Sequence, residues 1–119
     1  MPNVNTSSKF VAESVDLTTT SQTLVYTVPS NYSGIVRSLI IANSDTSNRN
    51  ITLEWYHADD ASTHSILVGH AISGSSYEAV FNDNVPMYLH RGDKIYLTAA
   101  TANTIVATIC VEEYFDPNR

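Results

Sequence analysis

The sequence predicts an all-β chain: an antiparallel β-sandwich, jelly-roll or immunoglobulin-like, of about eight strands. Apolar and polar residues alternate with period two in one segment after another, and clusters of Ser, Thr, Asn, Asp, Gly and Pro divide these segments. No window of about eleven residues repeats its apolar positions at the three- and four-residue spacing of a helix. At 119 residues the chain is sized for one domain around one core.

Residues 1–8 are polar and read as a flexible N-terminal arm, followed by a sandwich domain over 9–114 and a C-terminal tail over 115–119. The first strand starts at Lys9, with Phe10, Ala12 and Ser14 on one face and Val11, Glu13 and Val15 on the other. Thr23–Val28 is β-branched and strictly alternating, which places Leu24, Tyr26 and Val28 together. The turn cluster 29–34 leads to a strand over Ile35–Asn43. Leu39, Ile40 and Ile41 are consecutive there, so one bulky apolar side chain must point away from the core. In Asn50–Ala58, Ile51, Leu53, Trp55 and His57 face one way and Thr52, Glu54 and Tyr56 the other, making Trp55 a core anchor. Strands over 63–72, 77–81 and 85–90 follow, then Lys94–Leu97 and a long last strand from Ile105 to Tyr114.

Composition narrows the function. Six basic against twelve acidic side chains give a net charge of −6, with no basic stripe to meet a phosphate backbone or an anionic membrane surface. We therefore expect neither nucleic acid nor membrane as partner. Only 15% of residues are charged, against a usual share of about 25%, and Ser, Thr and Asn fill the gap as in turn-rich β surfaces. Cys110 is the single cysteine, which leaves no intrachain disulfide, and its mid-strand place reads as a small buried hydrophobe. No segment reaches the ~18 apolar residues of a membrane helix, and the first eight residues lack the basic and apolar regions of a signal peptide.

Two stretches carry a resemblance. Leu24–Pro29 (LVYTVP) is followed by Gly34 and by Val36–Asn43 (VRSLIIAN), and later Leu89, Gly92-Asp93 and Ile95 recur at a turn between strands. Together they resemble small β-sandwich virion proteins of tailed bacteriophages, of the head decoration, cement or tail accessory kind, over roughly residues 22–114. The resemblance implies a structural part of a particle, with copies of itself and the major capsid protein or tail proteins as partners. It also implies a virion location after assembly in the host cytoplasm.

The residues offer little to catalysis. There is no Gly-x-Ser-x-Gly elbow, Cys110 has no basic neighbour, and Glu112 and Glu113 point to opposite faces of one strand. We expect no enzyme and no cofactor. His57, Asp59, Asp60, His64 and His70 have metal-ligand chemistry, but an Asp-Asp turn is usually solvated and no His-any-His pair is present, so no metal is expected. Arg91-Gly92-Asp93 spells an adhesion tripeptide and is read as an ordinary tight turn.

Seven tyrosines against one tryptophan fit both strands and interfaces. Ile40, Tyr56 and Tyr96 are the expected interface residues, Ile40 from the apolar strand centre and the tyrosines from strand faces opposite the apolar sets. The expected function is a non-enzymatic virion subunit that decorates or cements a capsid and self-associates, most simply as a trimer. The alternative is a tail-attached accessory or a receptor- or carbohydrate-binding module. An outward Trp55 would favour that alternative, and its place on the apolar face of its strand counts against it.

Overall fold

The computed structural model describes residues 8–117. Among the described residues there is no helix. Nine strands form: β1 (Ser8–Leu17), β2 (Thr23–Thr27), β3 (Tyr32–Asn43), β4 (Arg49–His57), β5 (Ser62–Ile72), β6 (Ser76–Phe81), β7 (Met87–Leu89), β8 (Lys94–Ala99) and β9 (Ile105–Phe115). They pair antiparallel in two sheets. The first has the order β1-β9-β3-β6 with β7 also on β3, and the second the order β2-β8-β4-β5. The arm expected over 1–8 lies outside the described residues except for Ser8, which opens β1 opposite Tyr114. Phe115 ends β9 opposite Tyr32, and the last two residues of the expected tail also lie outside the described residues.

Alternation sorts the side chains of each sheet into an inner and an outer set. In the first sheet Leu17, Val36, Leu39, Ile41, Ile105, Ala107, Ile109 and Val111 face inward and are almost wholly buried. They meet Ile51, Leu53, Ile95, Leu97 and Ala99 from the second sheet in one core. Burying each such aliphatic side chain contributes roughly 1.5–3 kcal/mol before conformational entropy is set against it.

Register shifts displace this pattern in several strands. In β2 the register shifts between Leu24 and Tyr26. The expected common face for Leu24, Tyr26 and Val28 is therefore broken: Leu24 is exposed, while Val25, Tyr26 and Val28 are buried. An extra residue in one strand re-aims every side chain beyond it, and the alternation of the sequence gives no sign of it. In β3 the shift falls between Val36 and Ser38 and leaves Arg37 as the extra residue. In β5 shifts flank Leu67, where Gly69 takes φ 58°.

The glycine of the Leu24–Gly34 stretch has a packing reason. A Cβ on Gly34 would stand 3.1 Å from Cγ1 of Val111 and within 4 Å of Val28 and the Tyr26 hydroxyl. β2, β3 and β9 come together at that point.

Candidate functional site

The outer face of the first sheet forms a set of cross-strand rows. Asp16, Val106, Ala42 and Tyr77 make one, and Ser14, Thr108, Ile40 and Ala79 the next. Ala12, Cys110 and Ser38 follow, then Phe10, Glu112, Ile35 and Tyr88. Phe10, Tyr77 and Tyr88 are 71%, 66% and 67% exposed, too much for any of them to belong to the core. Ile40 sits at the centre of this face, half-buried by its strand neighbours, while Leu39 and Ile41 go to the core. Charge on the face is confined to its margins: Asp16 stands at the edge strand, exposed Asp83 lies at the Arg37 corner, and Glu112 is paired with Arg37, whose Nε and Nη2 donate to Oε1 at 2.9 and 2.6 Å. Ser8 and Tyr114 also donate to Glu112. Arg37, then Tyr114 and Ser8, hold its carboxyl below the usual carboxylate range. A shallow groove lined by Phe10, Arg37, Ser38, Asp83, Cys110 and Glu112 runs over this corner.

Tyr56 and Tyr96 lie on the outer face of the other sheet, Tyr96 opposite Glu54 and Leu24, and Tyr56 opposite Lys94 and Thr63. Lys94 reaches over the Tyr56 ring, 5.4 Å from its centroid. The structure thus brings Tyr56 and Tyr96 together and sets Ile40 on the opposite side of the sandwich. No single flat interface holds all three.

Glu112 and Glu113 do point to opposite faces, outward and inward. Glu113 is buried and accepts the hydroxyl of Tyr26, with Lys9 Nζ 3.7 Å away. Burial, and then the Glu113 carboxylate, push the Tyr26 phenol well above its ordinary range. This pair ties β2 to β9 and leaves the two carboxylates unable to flank one bond.

At one end of the sandwich the β4–β5 turn meets the β7–β8 turn. Gly92 adopts φ 79°, a left-handed conformation that glycine takes without steric cost. The turn it makes carries Asp93 inward, where it is fully buried. Oδ1 of Asp93 accepts the backbone N–H of Ala58 at 2.9 Å. Oδ2 accepts the backbone N–H of His90 at 3.0 Å and the indole N–H of Trp55 at 3.1 Å. Its carboxylate is therefore unavailable to an adhesion receptor. His57 lies beside it, Nδ1 to Oδ2 3.4 Å, and its ring sits tilted against Trp55 with centroids 4.7 Å apart. Trp55 itself packs on the core from its edge and is only partly buried.

The histidines and acids of the sequence cluster separate. His64 pairs with Asp60 at 3.2 Å, and His70 with Glu78 of β6 at 2.8 Å. His57 and Asp59 instead gather with His90, which comes from another turn, 31 positions from Asp59, and so escapes any reading of local spacing.

No protein family matches the chain, and no curated protein matches it. Among solved structures the chain is similar to one described as "Cyanophage Pam1 capsid asymmetric unit", at 19% identity and a TM-score of 0.47, over 97% of this chain and 89% of that one. It is also similar to a chain from "Bacillus endospore appendages form a novel family of disulfide-linked pili", at 12% identity and a TM-score of 0.42, over 98% of this chain and 96% of that one.

Proposed function

We propose that this chain is a non-enzymatic structural subunit of a bacteriophage particle, a decoration or cement protein that self-associates and docks on the particle surface. The observation that carries the proposal is the outer face of the first sheet, where Phe10, Ile35, Ile40, Ala42, Tyr77, Tyr88 and Val106 stand among Ser14, Ser38 and Thr108 with no covering layer among the described residues. Monomeric proteins rarely leave such a face open. Its occupant is a second copy of the chain. With a net charge of −6, two copies repel over most of their surfaces, and the central rows of this face, Ser14, Thr108, Ile40 and Ala79 with Ala12, Cys110 and Ser38, hold no charged side chain and are where the copies meet without setting like charges together.

The opposite face, with Tyr56 and Tyr96 among Glu54, Lys94 and Thr63, suits a wetter contact with a capsid or tail protein. The segments at 1–8 and 115–119 add further contacts. An oligomer that presents several weak sites at once holds a shell lattice far more firmly than one subunit does. The stretches at Leu24–Asn43 and Leu89–Ile95, which resemble phage virion proteins, favour a phage particle.

The experiment is reconstitution: purified protein is mixed with phage particles assembled without it, and binding is read by co-sedimentation. Saturable binding, weakened in Tyr56→Ser and Tyr96→Ser, is the expected result. Absence of binding to heads and tails alike contradicts the docking role. A chain lacking residues 1–7, which keeps the Ser8–Tyr114 pairing, tests the arm.

A further inference from the structure

We propose that His57, Asp59 and His90 form a zinc site that staples the β4–β5 turn to the β7–β8 turn. One ligand atom from each of the three lies within 4.8 Å of the other two. His90 Nδ1 is 3.2 Å and His57 Nε2 4.0 Å from Oδ2 of Asp59. Tetrahedral zinc with ligands at about 2.0–2.2 Å sets its donor atoms about 3.3 Å apart, so small side-chain rotations bring the three into register. Two imidazoles and one carboxylate are a donor set for zinc and neighbouring transition metals, and a poor one for calcium or magnesium. Water completes the fourth position.

A second observation supports the site independently. Histidine ligands almost always donate their other ring N–H to a carboxylate, a backbone carbonyl or water, which fixes the tautomer and the ring orientation. His57 has this arrangement: Nδ1 faces the buried Oδ2 of Asp93 at 3.4 Å, and Nε2 is left toward Asp59. The same Asp93 carboxylate binds the backbone N–H groups of Ala58 and His90. One buried acid therefore positions both turns that supply ligands. His64 and His70 have partners elsewhere, in Asp60 and Glu78. The sequence expectation of no metal considered His57 with those two histidines and lacked His90, which is 31 positions from Asp59.

The test uses the full chain, stripped with EDTA, dialysed and titrated with zinc chloride by calorimetry, with thermal unfolding followed with and without zinc. One zinc per chain and a melting temperature raised by several degrees are expected. Asp59→Asn and His90→Gln each weaken binding by about tenfold or more, while His64→Gln and His70→Gln leave it unchanged. Asp59 and His90 are exposed enough for both variants to fold, and unaltered melting without zinc verifies this. Binding well below one zinc per chain overturns the proposal. So does undiminished affinity in both Asp59→Asn and His90→Gln, or a loss caused instead by His64→Gln or His70→Gln. None of these outcomes bears on self-association, which uses another face.

Discussion

The indole N–H of Trp55 donates to Oδ2 of Asp93 at 3.1 Å, joining β4, an inner strand of the second sheet, to the β7–β8 turn at one end of the sandwich. Trp55 is thus an anchor through both its ring and its nitrogen. Its ring lies on the core and on His57 and His64, and its one polar atom is already bonded within the chain. This leaves it badly placed as a sugar platform.

Trp55→Ala is expected to cost about 3 kcal/mol, the low end for emptying a large aromatic site, because the ring is only partly buried. Trp55→Phe keeps most of the packing and loses one hydrogen bond, while Asp93 retains its other donors, so about 1 kcal/mol is expected. Urea unfolding of the two variants checks the ranking. Equal losses would mean that the nitrogen, and not the ring, is what matters.

Asp93→Asn replaces an all-acceptor carboxylate with an amide, which turns a donor toward N–H groups that themselves need acceptors. With Ala58, His90 and Trp55 all donating to Asp93, the expected loss is about 2–3 kcal/mol. A loss within about 0.5 kcal/mol, the range of an ordinary surface change, would contradict the network.

Acid should weaken the fold through Glu112. Arg37, then Tyr114 and Ser8, keep this carboxyl more acidic in the folded chain than in the unfolded one. Such a group contributes its stabilisation above the unfolded value, about 4.3, and loses it as pH falls through the folded value. Arg37→Gln removes the largest cause of the shift. The stability gap between the parent and this variant should be widest near neutral pH and close as the solution is acidified below roughly pH 4. Denaturation midpoints measured across that range check it, and a gap independent of pH would refute the assignment.

Much of the sandwich was legible because alternation is a local property. In β4, Ile51 and Leu53 turn inward and Thr52 and Glu54 outward, as the period requires, and the Leu39-Ile40-Ile41 triplet announced an apolar residue pointing away from the core. What was hidden depends on the partner strand. The bulge at Val25 that exposes Leu24 exists only against β8, and the bulge that frees Arg37 to reach Glu112 exists only against β9. Strand order, too, is not written locally, so the sequence could not tell that Ile40 and the Tyr56–Tyr96 pair lie on opposite sheets. Asp93 read as a turn residue, and the turn is real. Its burial follows from the approach of the β4–β5 turn, the same long-range contact that brings His90 to Asp59.

The Ile40 face carries the central claim, and sedimentation equilibrium over a range of concentrations tests it most directly. The full chain should sediment as a homo-oligomer. Ile40→Asp should sediment as a monomer with unchanged strand content by circular dichroism, since Leu39 and Ile41 keep the core side of β3. Tyr56→Ser, on the other sheet, should remain oligomeric. A parent chain that stays monomeric at the highest concentration, or an Ile40→Asp chain that associates as tightly as the parent, would contradict the account.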